Sequence, residues 1–475
     1  MKLSEILKGI VVLNEYEDKE VKNVTSDSRL VEEGFLFICI KGASFDGHNV
    51  AANMLGKGAV AVVCERDLGL DNQIIVENSR AVYSPICANF FGNPSNSLKL
   101  IGLTGTNGKT TTTFIIKQIL ENLGKKVGLI GTVQNMVGDE IYPAHYTTPD
   151  PYELQSLFRK MADAGCEYCV MEVSSQALAQ GRVAGIHFTL AAFTNLTQDH
   201  LDYHKTFENY FEAKRLLFKN CDIALTNIDD KNGLKIVDGL DCRVKTYSVD
   251  NVNSDFTAKN VCFSPDGVKY ELITDRIGRV QCPIPGRFSV YNSLCAVSVA
   301  ITLGFDFEET LRAVAKSNGV KGRIEVVPTP TDYTVIIDYA HSPDGLENII
   351  LSLREIAKGR VVTLFGCGGD RDKTKRPKMG EIAARLSDFC IVTSDNPRSE
   401  KPSDIINDIL EGMKTTKTPV KVIENRKEAI NWALDNAREN DILLLAGKGH
   451  ETYQILNDGT IHFDEREVVA KHFEN

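Results

Sequence analysis

Thr104-Gly-Thr-Asn-Gly-Lys-Thr110 follows the apolar run Leu98-Lys-Leu-Ile-Gly-Leu103 and opens a helical pattern from Thr110 to about Leu123. A strand, a glycine turn and a helix in that order make a phosphate cradle. Gly105 and Gly108 let the backbone wrap phosphates closely, and the helix N-terminus offers free amides and a favourable dipole. Lys109 can reach β- and γ-phosphates, and Thr110 can offer its hydroxyl to Mg²⁺. The stretch Gly105, Thr106, Asn107, Gly108, Lys109, Thr110 and Thr111 is therefore read as ATP-binding. The spacing departs from the common G-x-x-x-x-G-K-[ST] loop, because Leu103 stands where its first glycine would be.

Outward from this loop, strand-like runs recur at Val127–Ile130, Cys169–Val173, Leu190–Thr194 and Ile223–Thr226, with helical patterns between most of them. That alternation predicts a mostly parallel sheet covered by helices. Residues 240–285 read as irregular and β-rich, and a helix is expected from Ser289 to about Thr302. Upstream, short runs such as Phe35–Ile40 and Ala59–Val63 end at the turn-rich linker Gly92-Asn-Pro-Ser-Asn-Ser97. Downstream of Gly322, runs at Tyr333–Ile337, Val361–Phe365, Phe389–Thr393 and Ile442–Ala446 alternate with helices, a second α/β unit of Rossmann-like type. The fold class is α/β with three domains, expected at 1–95, 96–321 and 322–475.

The chain's 475 residues suit three domains at ~150 each. Lys plus Arg number 54 against 64 Asp plus Glu, a net charge of −10. That argues against a general nucleic-acid binder, though not against an anionic substrate met by local charge. No run reaches the ~20 apolar residues of a membrane span, and the N-terminus lacks the layout of a secretory signal. A cytoplasmic protein, expected to act as a monomer, fits these features. Its 12 cysteines are scattered, many in apolar runs, and read as buried thiols. Cys166 and Cys169 form a CxxC, but Cys169 enters a strand-like run instead of opening a helix.

Further motifs follow in order. Glu172 ends an apolar run in Glu172-Val-Ser-Ser175. His200 lies in Thr194-Asn-Leu-Thr-Gln-Asp-His-Leu-Asp202, and Lys214 in the amphipathic stretch Tyr210–Phe218. Gly286-Arg-Phe-Ser-Val-Tyr-Asn292, Gly322-Arg323-Ile-Glu325 and Asp338-Tyr-Ala-His-Ser-Pro-Asp344 come later. His200 and His204 are four apart, the spacing of a zinc pair on a helix, but no HExxH is present. Taken singly, Lys214 would be a surface lysine and Arg323 a surface ion-pair partner.

Together these segments resemble the Mur ligase family, whose phosphate loop reads TGTNGKT, and the resemblance spans nearly the whole chain. It implies an N-terminal UDP-substrate domain, a central ATP-binding domain and a C-terminal Rossmann-like domain. It implies that Glu172 and His200 hold Mg²⁺ together with Thr110, and that Lys214 is carbamylated by CO₂, which converts a cation to an anion that helps position the metal. Lys109, Lys214, Glu172 and His200 become the catalytic set. Asn292 corresponds to an asparagine contacting adenine. Arg323 corresponds to an arginine reaching ATP by domain closure, and Asp338 and His341 are expected near the nucleotide.

Three segments bear on the other substrates. Thr25-Ser-Asp-Ser-Arg29 resembles a UDP-contacting segment, with Ser28 at the contact. Tyr146-Thr-Thr-Pro149 and Ser174–Arg182 match acceptor-binding segments, so Thr147, Thr148, Ser174, Gln180 and Arg182 are expected to hold UDP-MurNAc-L-Ala-D-Glu. Asp395-Asn-Pro-Arg398 matches the motif of members that add meso-diaminopimelate, with Asp395, Asn396, Pro397 and Arg398. Arg371, Gly447 and Glu451, the last two in Gly447-Lys-Gly-His-Glu451, complete that pocket. A planar guanidinium can grip the far carboxylate of diaminopimelate with two hydrogen bonds, and Glu451 can pair with the ammonium beside it. The expected reaction joins this amino acid to the D-Glu γ-carboxylate through an acyl phosphate made from ATP. Alternatives are a lysine-adding member, which departs from the motif at Arg398, a folylpolyglutamate synthase, which the UDP segment disfavours, and a phosphate-loop regulator without ligation chemistry.

Overall fold

The computed structural model describes residues 1–42, 45–197, 199–264 and 267–474. Three parallel-sheet layers, each covered by helices, account for the α/β architecture. The N-terminal sheet orders Asn23–Thr25, Phe35–Ile38, Ala61–Cys64 and Gln73–Ile75, all parallel. The central sheet runs Arg243–Ser248, Cys221–Asn227, Phe188–Phe193, Lys99–Thr104, Tyr168–Glu172 and Val127–Ile130, all parallel. Antiparallel Asn135–Val137 and Glu140–Tyr142 complete one edge. The third sheet places Thr334–Asp338 beside Ile442–Ala446, then Val361–Phe365, Phe389–Val392 and Val420–Val422 in parallel. Antiparallel Glu325–Val327 closes its other edge.

By contact the chain forms two compact units, Met1–Thr257 with Leu294–Ala313, and Ala258–Ser293 with Val314–Asn475. The N-terminal and central sheets share the first unit because the helix Ser79–Phe90 packs on the helix Pro151–Asp163. Phe91 meets Tyr152 edge-on there, and Ser84 Oγ donates to the Ala184 carbonyl at 2.8 Å. The β-rich stretch expected at 240–285 holds Arg243–Ser248, Phe256–Ser264, Gly267–Ile273 and Ile277–Cys282.

Strands buried on both faces explain the continuous apolar runs. Leu100, Ile101 and Leu103 are all fully buried, as are Leu443, Leu444 and Leu445. Such runs are the mark of parallel sheets covered by helices. All twelve cysteines are free thiols and ten are buried, including Cys166 and Cys169. Among the described residues no helix is long and apolar enough to cross a membrane.

In the second unit, the helices Lys375–Leu386 and Pro402–Met413 cross unusually closely. A Cβ at Gly380 would collide with the Ile409 carbonyl, and one at Gly412 with the Pro377 carbonyl. At this crossing the fully buried Arg376 binds Glu400 through both terminal nitrogens and Asp408 at 2.8 Å.

Candidate active site

The phosphate loop lies between the strand Lys99–Thr104 and the helix Lys109–Asn122. Gly105 and Gly108 have φ of 150° and 86°, conformations that glycine adopts freely. The loop is braced from Asn195, whose carbonyl accepts from Thr106 N at 2.8 Å and whose Oδ1 accepts from Asn107 N at 3.0 Å. Lys109 Nζ donates to the carbonyls of Gly105 and Thr106 at 2.9 and 3.0 Å. Thr111 stands half-buried in the first helical turn.

Glu172 ends its strand one register step beyond Met171, which pairs with Ile130. That register brings Gly131 and Thr132 alongside the carboxylate. Thr110 Oγ1 donates to Glu172 Oε2 at 3.0 Å, Thr132 N to Oε1 at 2.8 Å, and Thr132 Oγ1 lies 3.1 Å from Oε2. A Cβ at position 131 would stand 2.5 Å from Oε1, so any larger residue there would displace the carboxylate. Glu172 is 1% exposed, and among the described residues no basic side chain pairs with it. A buried carboxylate without a cation partner, beside a threonine hydroxyl, is a hard-oxygen donor set that fits Mg²⁺.

His200 is placed differently. It is exposed, has φ of 53°, and lies 3.5 Å from Asp199 Oδ2. Among the described residues, no group of three or more His, Cys, Asp or Glu side chains is arranged to hold a metal ion. His204 is buried, with Nε2 2.9 Å from Ser175 Oγ. Tyr210 gathers this corner: its ring meets both histidines, and its hydroxyl lies 3.1 Å from Thr106 Oγ1.

Lys214 differs most from its reading as an isolated residue. It is 2% exposed, its Nζ donates to the Gly105 carbonyl at 2.8 Å, and it sits 4.6 Å over the Tyr210 ring. Burial, then the nearby Lys109 cation, pushes its ammonium well below the ordinary lysine range. Both effects favour the neutral amine.

The residues expected to hold the acceptor form a continuous patch beside Glu172. Thr148 Oγ1 donates to the Glu172 carbonyl at 2.9 Å and accepts from Ser174 N at 3.0 Å. Ser174 caps the helix Ser175–Ala179. Arg182 donates to the Thr148 carbonyl at 2.8 Å and to Gln180 Oε1 at 2.8 and 3.0 Å, and lies over the Tyr146 ring. Thr147 Oγ1 lies 3.0 Å from Thr132 Oγ1. Ser28 lies in a turn after the strand Asn23–Thr25, where its carbonyl accepts from Lys57 Nζ at 3.1 Å.

The second unit carries the remaining residues. Asn292 is buried in the helix Arg287–Thr302. Asp338 ends its strand, is buried, and accepts from Ile324 N and Ala340 N, both at 2.8 Å. Burial pushes its carboxyl up, opposed mainly by Arg323. Arg323 lies 4.9 Å over the Tyr339 ring, and its Nε is buried without a hydrogen-bond partner among the described residues. His341 is exposed, with Nδ1 2.8 Å from the Tyr339 carbonyl.

The pocket formed by Asp395–Arg398 and Gly447–Glu451 joins loops after two strands of the third sheet. Asn396 Nδ2 donates to Glu451 Oε2 at 2.9 Å, and its Oδ1 accepts from Ile455 N at 3.0 Å. Lys448, fully buried, donates to Asn396 Oδ1 and to Glu451 Oε2 at 3.1 and 3.0 Å. Arg398 has φ of 53°, and its Nη1 donates to the Gly369 carbonyl at 2.8 Å. Pro397 is buried between them, and Gly447 is so close to Asp395 that a Cβ would stand 2.8 Å from Oδ2. Arg371 is exposed and bonds only the Asp370 carbonyl among the described residues. Sequence reading singles out neither Thr132 nor Lys448. For both, the available signal is position: a polar residue directly after a strand end, and a lysine flanked by two glycines.

Known proteins give the same picture across the whole chain. The Mur ligase family catalytic domain matches residues 20–91, the Mur ligase middle domain 103–300, and the Mur ligase glutamate ligase domain 322–449. A UDP-N-acetylmuramoyl-L-alanyl-D-glutamate–2,6-diaminopimelate ligase of Clostridium botulinum is 47% identical, with 99% of each chain covered. One from Bacillus velezensis is 42% identical over 99% of this chain and 98% of its own. A solved diaminopimelate ligase of that name superposes with a TM-score of 0.75 at 31% identity, covering 100% and 99% of the two chains. A Thermotoga maritima MurF ligase in complex with ADP, 20% identical over 96% and 97%, shares the fold with a TM-score of 0.63. With three domain matches in order and full-length relatives far above 30% identity, the chain belongs to the Mur ligase family.

Proposed function

We propose that the chain is an ATP-dependent ligase that adds meso-diaminopimelate to the D-Glu γ-carboxylate of UDP-MurNAc-L-Ala-D-Glu, a step of peptidoglycan precursor synthesis. The observation that carries the choice of amino acid is the placing of an acid and a base on one loop system: Asn396, two residues before Arg398, holds Glu451 at 2.9 Å. The far end of diaminopimelate bears an ammonium and a carboxylate on one carbon. Glu451 suits the first and Arg398 the second. Lysine would leave Arg398 without its carboxylate. The names of the full-length relatives agree with this reading.

A carboxylate is a poor acyl donor, so the reaction needs a leaving group. An oxygen of the γ-carboxylate attacks the γ-phosphorus of ATP, the bond to the bridging oxygen breaks, and ADP departs. The amine at the L-centre, in its neutral form, then adds to the acyl carbon. Phosphate leaves, the nitrogen loses a proton, and the amide remains. The chain's own part is positioning and charge neutralisation. Lys109 exchanges its two loop carbonyls for phosphate oxygens. Thr148, Ser174, Gln180 and Arg182 orient the acceptor next to Glu172, and Ser28 takes the UDP end. Asn292, Arg323, Asp338 and His341 are assigned to the nucleotide, and Arg371, Asp395 and Gly447 to the amino-acid pocket. Mg²⁺, held by Thr110 and Glu172, would supply charge neutralisation at the phosphates, with His200 as the further ligand that the family resemblance implies. The buried neutral amine of Lys214 suits attack on CO₂, which yields a carbamate and a proton. All three substrates are charged and water-soluble, which suits work in the cytoplasm without membrane or nucleic acid.

The test is release of ADP and phosphate from ATP with the UDP-dipeptide and a panel of amino acids. Release that requires both the acceptor and diaminopimelate is expected. Release with lysine alone in the panel would sink the specificity, and release that ignores both would sink the ligase.

A further inference from the structure

The Thr132 hydroxyl stands between the Glu172 carboxylate and Thr147. Its Oγ1 lies 3.1 Å from Glu172 Oε2 on the metal side and 3.0 Å from Thr147 Oγ1 on the acceptor side. Its own amide N–H fixes Glu172 Oε1 at 2.8 Å. A hydroxyl carries one proton, and an ionised carboxylate only accepts. When Thr132 O–H donates to Glu172, it has no proton for Thr147, so Thr147 must donate to it. The direction of the chain is thereby set: Thr147 to Thr132 to Glu172.

We infer that Thr132 is a positioning residue that couples acceptor binding to metal binding by reversing this chain. The inference rests on the assignment of Thr147 to the acceptor and Glu172 to Mg²⁺. An anionic or carbonyl oxygen of the acceptor takes the Thr147 proton. Thr147 then presents a lone pair to Thr132, whose O–H swings from Glu172 Oε2 to Thr147 Oγ1. Oε2 then loses one of its two hydroxyl donors, keeps Thr110 Oγ1 at 3.0 Å, and carries more negative charge for the metal. The carboxylate does not move, because the Thr132 amide still holds Oε1. No proton leaves its oxygen in this exchange; only two O–H rotors turn. By linkage the effect is reciprocal, so metal strengthens acceptor binding by the factor with which acceptor strengthens metal binding.

The experiment is calorimetric titration of UDP-MurNAc-L-Ala-D-Glu into the full chain, without divalent metal and with saturating Mg²⁺ and ADP. Wild type, Thr132→Val and Thr132→Ser are compared. The wild-type acceptor Kd is expected to tighten about tenfold with Mg²⁺-ADP. Thr132→Ser keeps the hydroxyl and should keep that ratio, whereas Thr132→Val should bring it close to one. Should Thr132→Val fail to fold, Thr147→Val breaks the same chain at its outer end and should also remove the ratio. A wild-type ratio retained in the valine variant overturns the relay. So does a wild-type chain that binds the acceptor with no response to Mg²⁺-ADP. A wild-type chain that does not bind the acceptor under either condition overturns the functional assignment as well, which separates the two failures.

Discussion

Around the phosphate loop, Lys109 and Lys214 both direct their amines at main-chain carbonyls of the loop itself, at 2.8–3.0 Å. In the C-terminal pocket, Lys448 is matched by a carboxylate and an amide, and Asn396 ties the same carboxylate from the other side. The first arrangement must give up its contacts to take a ligand. The second is already assembled, with Lys448, Asn396 and Glu451 held by one another and Arg398 steadied on the Gly369 carbonyl. A nucleotide brings phosphates that can replace loop carbonyls one for one. An amino acid brings too few groups to rebuild a pocket, so its site has to be set in advance.

This contrast can be broken at its first member by Lys109→Ala. Removing a preorganised charge-stabilising group is expected to lower turnover about 10²–10³-fold, with diaminopimelate binding by calorimetry unchanged. Near-normal turnover in a folded variant would mean the loop lysine is not used. Lys214→Ala should lose on the order of 10² in rate, with partial recovery in acetate, which can stand where the carbamate would. Full activity without added carboxylate would return Lys214 to an inert buried lysine.

The second member is tested by Arg398→Ala. Loss of a charge partner to the substrate carboxylate costs about 2–5 kcal/mol. Arg398 is only half-buried, so the low end, about 30-fold in kcat/KM for diaminopimelate, is expected. KM for ATP should stay put, and lysine should gain little, since Glu451 still shapes the pocket. An unchanged diaminopimelate constant would refute the assignment of Arg398.

The smallest effect concerns stability. The Arg376 guanidinium beside Glu400 holds that carboxyl down to about 2, against 4.5 in an unstructured chain. A depressed carboxylate stabilises the fold above pH 4.5, and the contribution disappears as pH falls toward 2. In denaturant titrations, Glu400→Gln should be less stable at neutral pH and should lose less than wild type between pH 4.5 and 2. Parallel pH curves for the two would show that the pair does not act on folding.

The phosphate loop was legible because everything it needs is local: seven residues between a strand and a helix. Glu172 was legible for a related reason, since an acid at the end of an apolar run must emerge at the sheet's carboxyl edge. Thr132 was not, because it matters only through the register that sets Ile130 against Met171, and one-residue slips would send it elsewhere. The position of Lys214 could be read but not its burial, which comes from the loop carbonyl and the Tyr210 ring closing over a helix that looks amphipathic by itself. His200 is the reverse case. Its motif is distinctive, yet its side chain is exposed beside Asp199.

The crossing at Gly380 and Gly412 has a consequence for how the second unit can vary. The two glycines do not face each other; each meets a backbone carbonyl of the opposite helix. A side chain gained at either position cannot be offset by shrinking a residue across the interface, because a carbonyl cannot be made smaller. Repair would require sliding one helix along the other, and that would draw Asp408 away from Arg376 and pull Arg376 off Glu400. In a library of paired substitutions, these positions should therefore yield no compensating partners: each stays frozen by itself, and the ion cluster beside the amino-acid pocket is frozen with them.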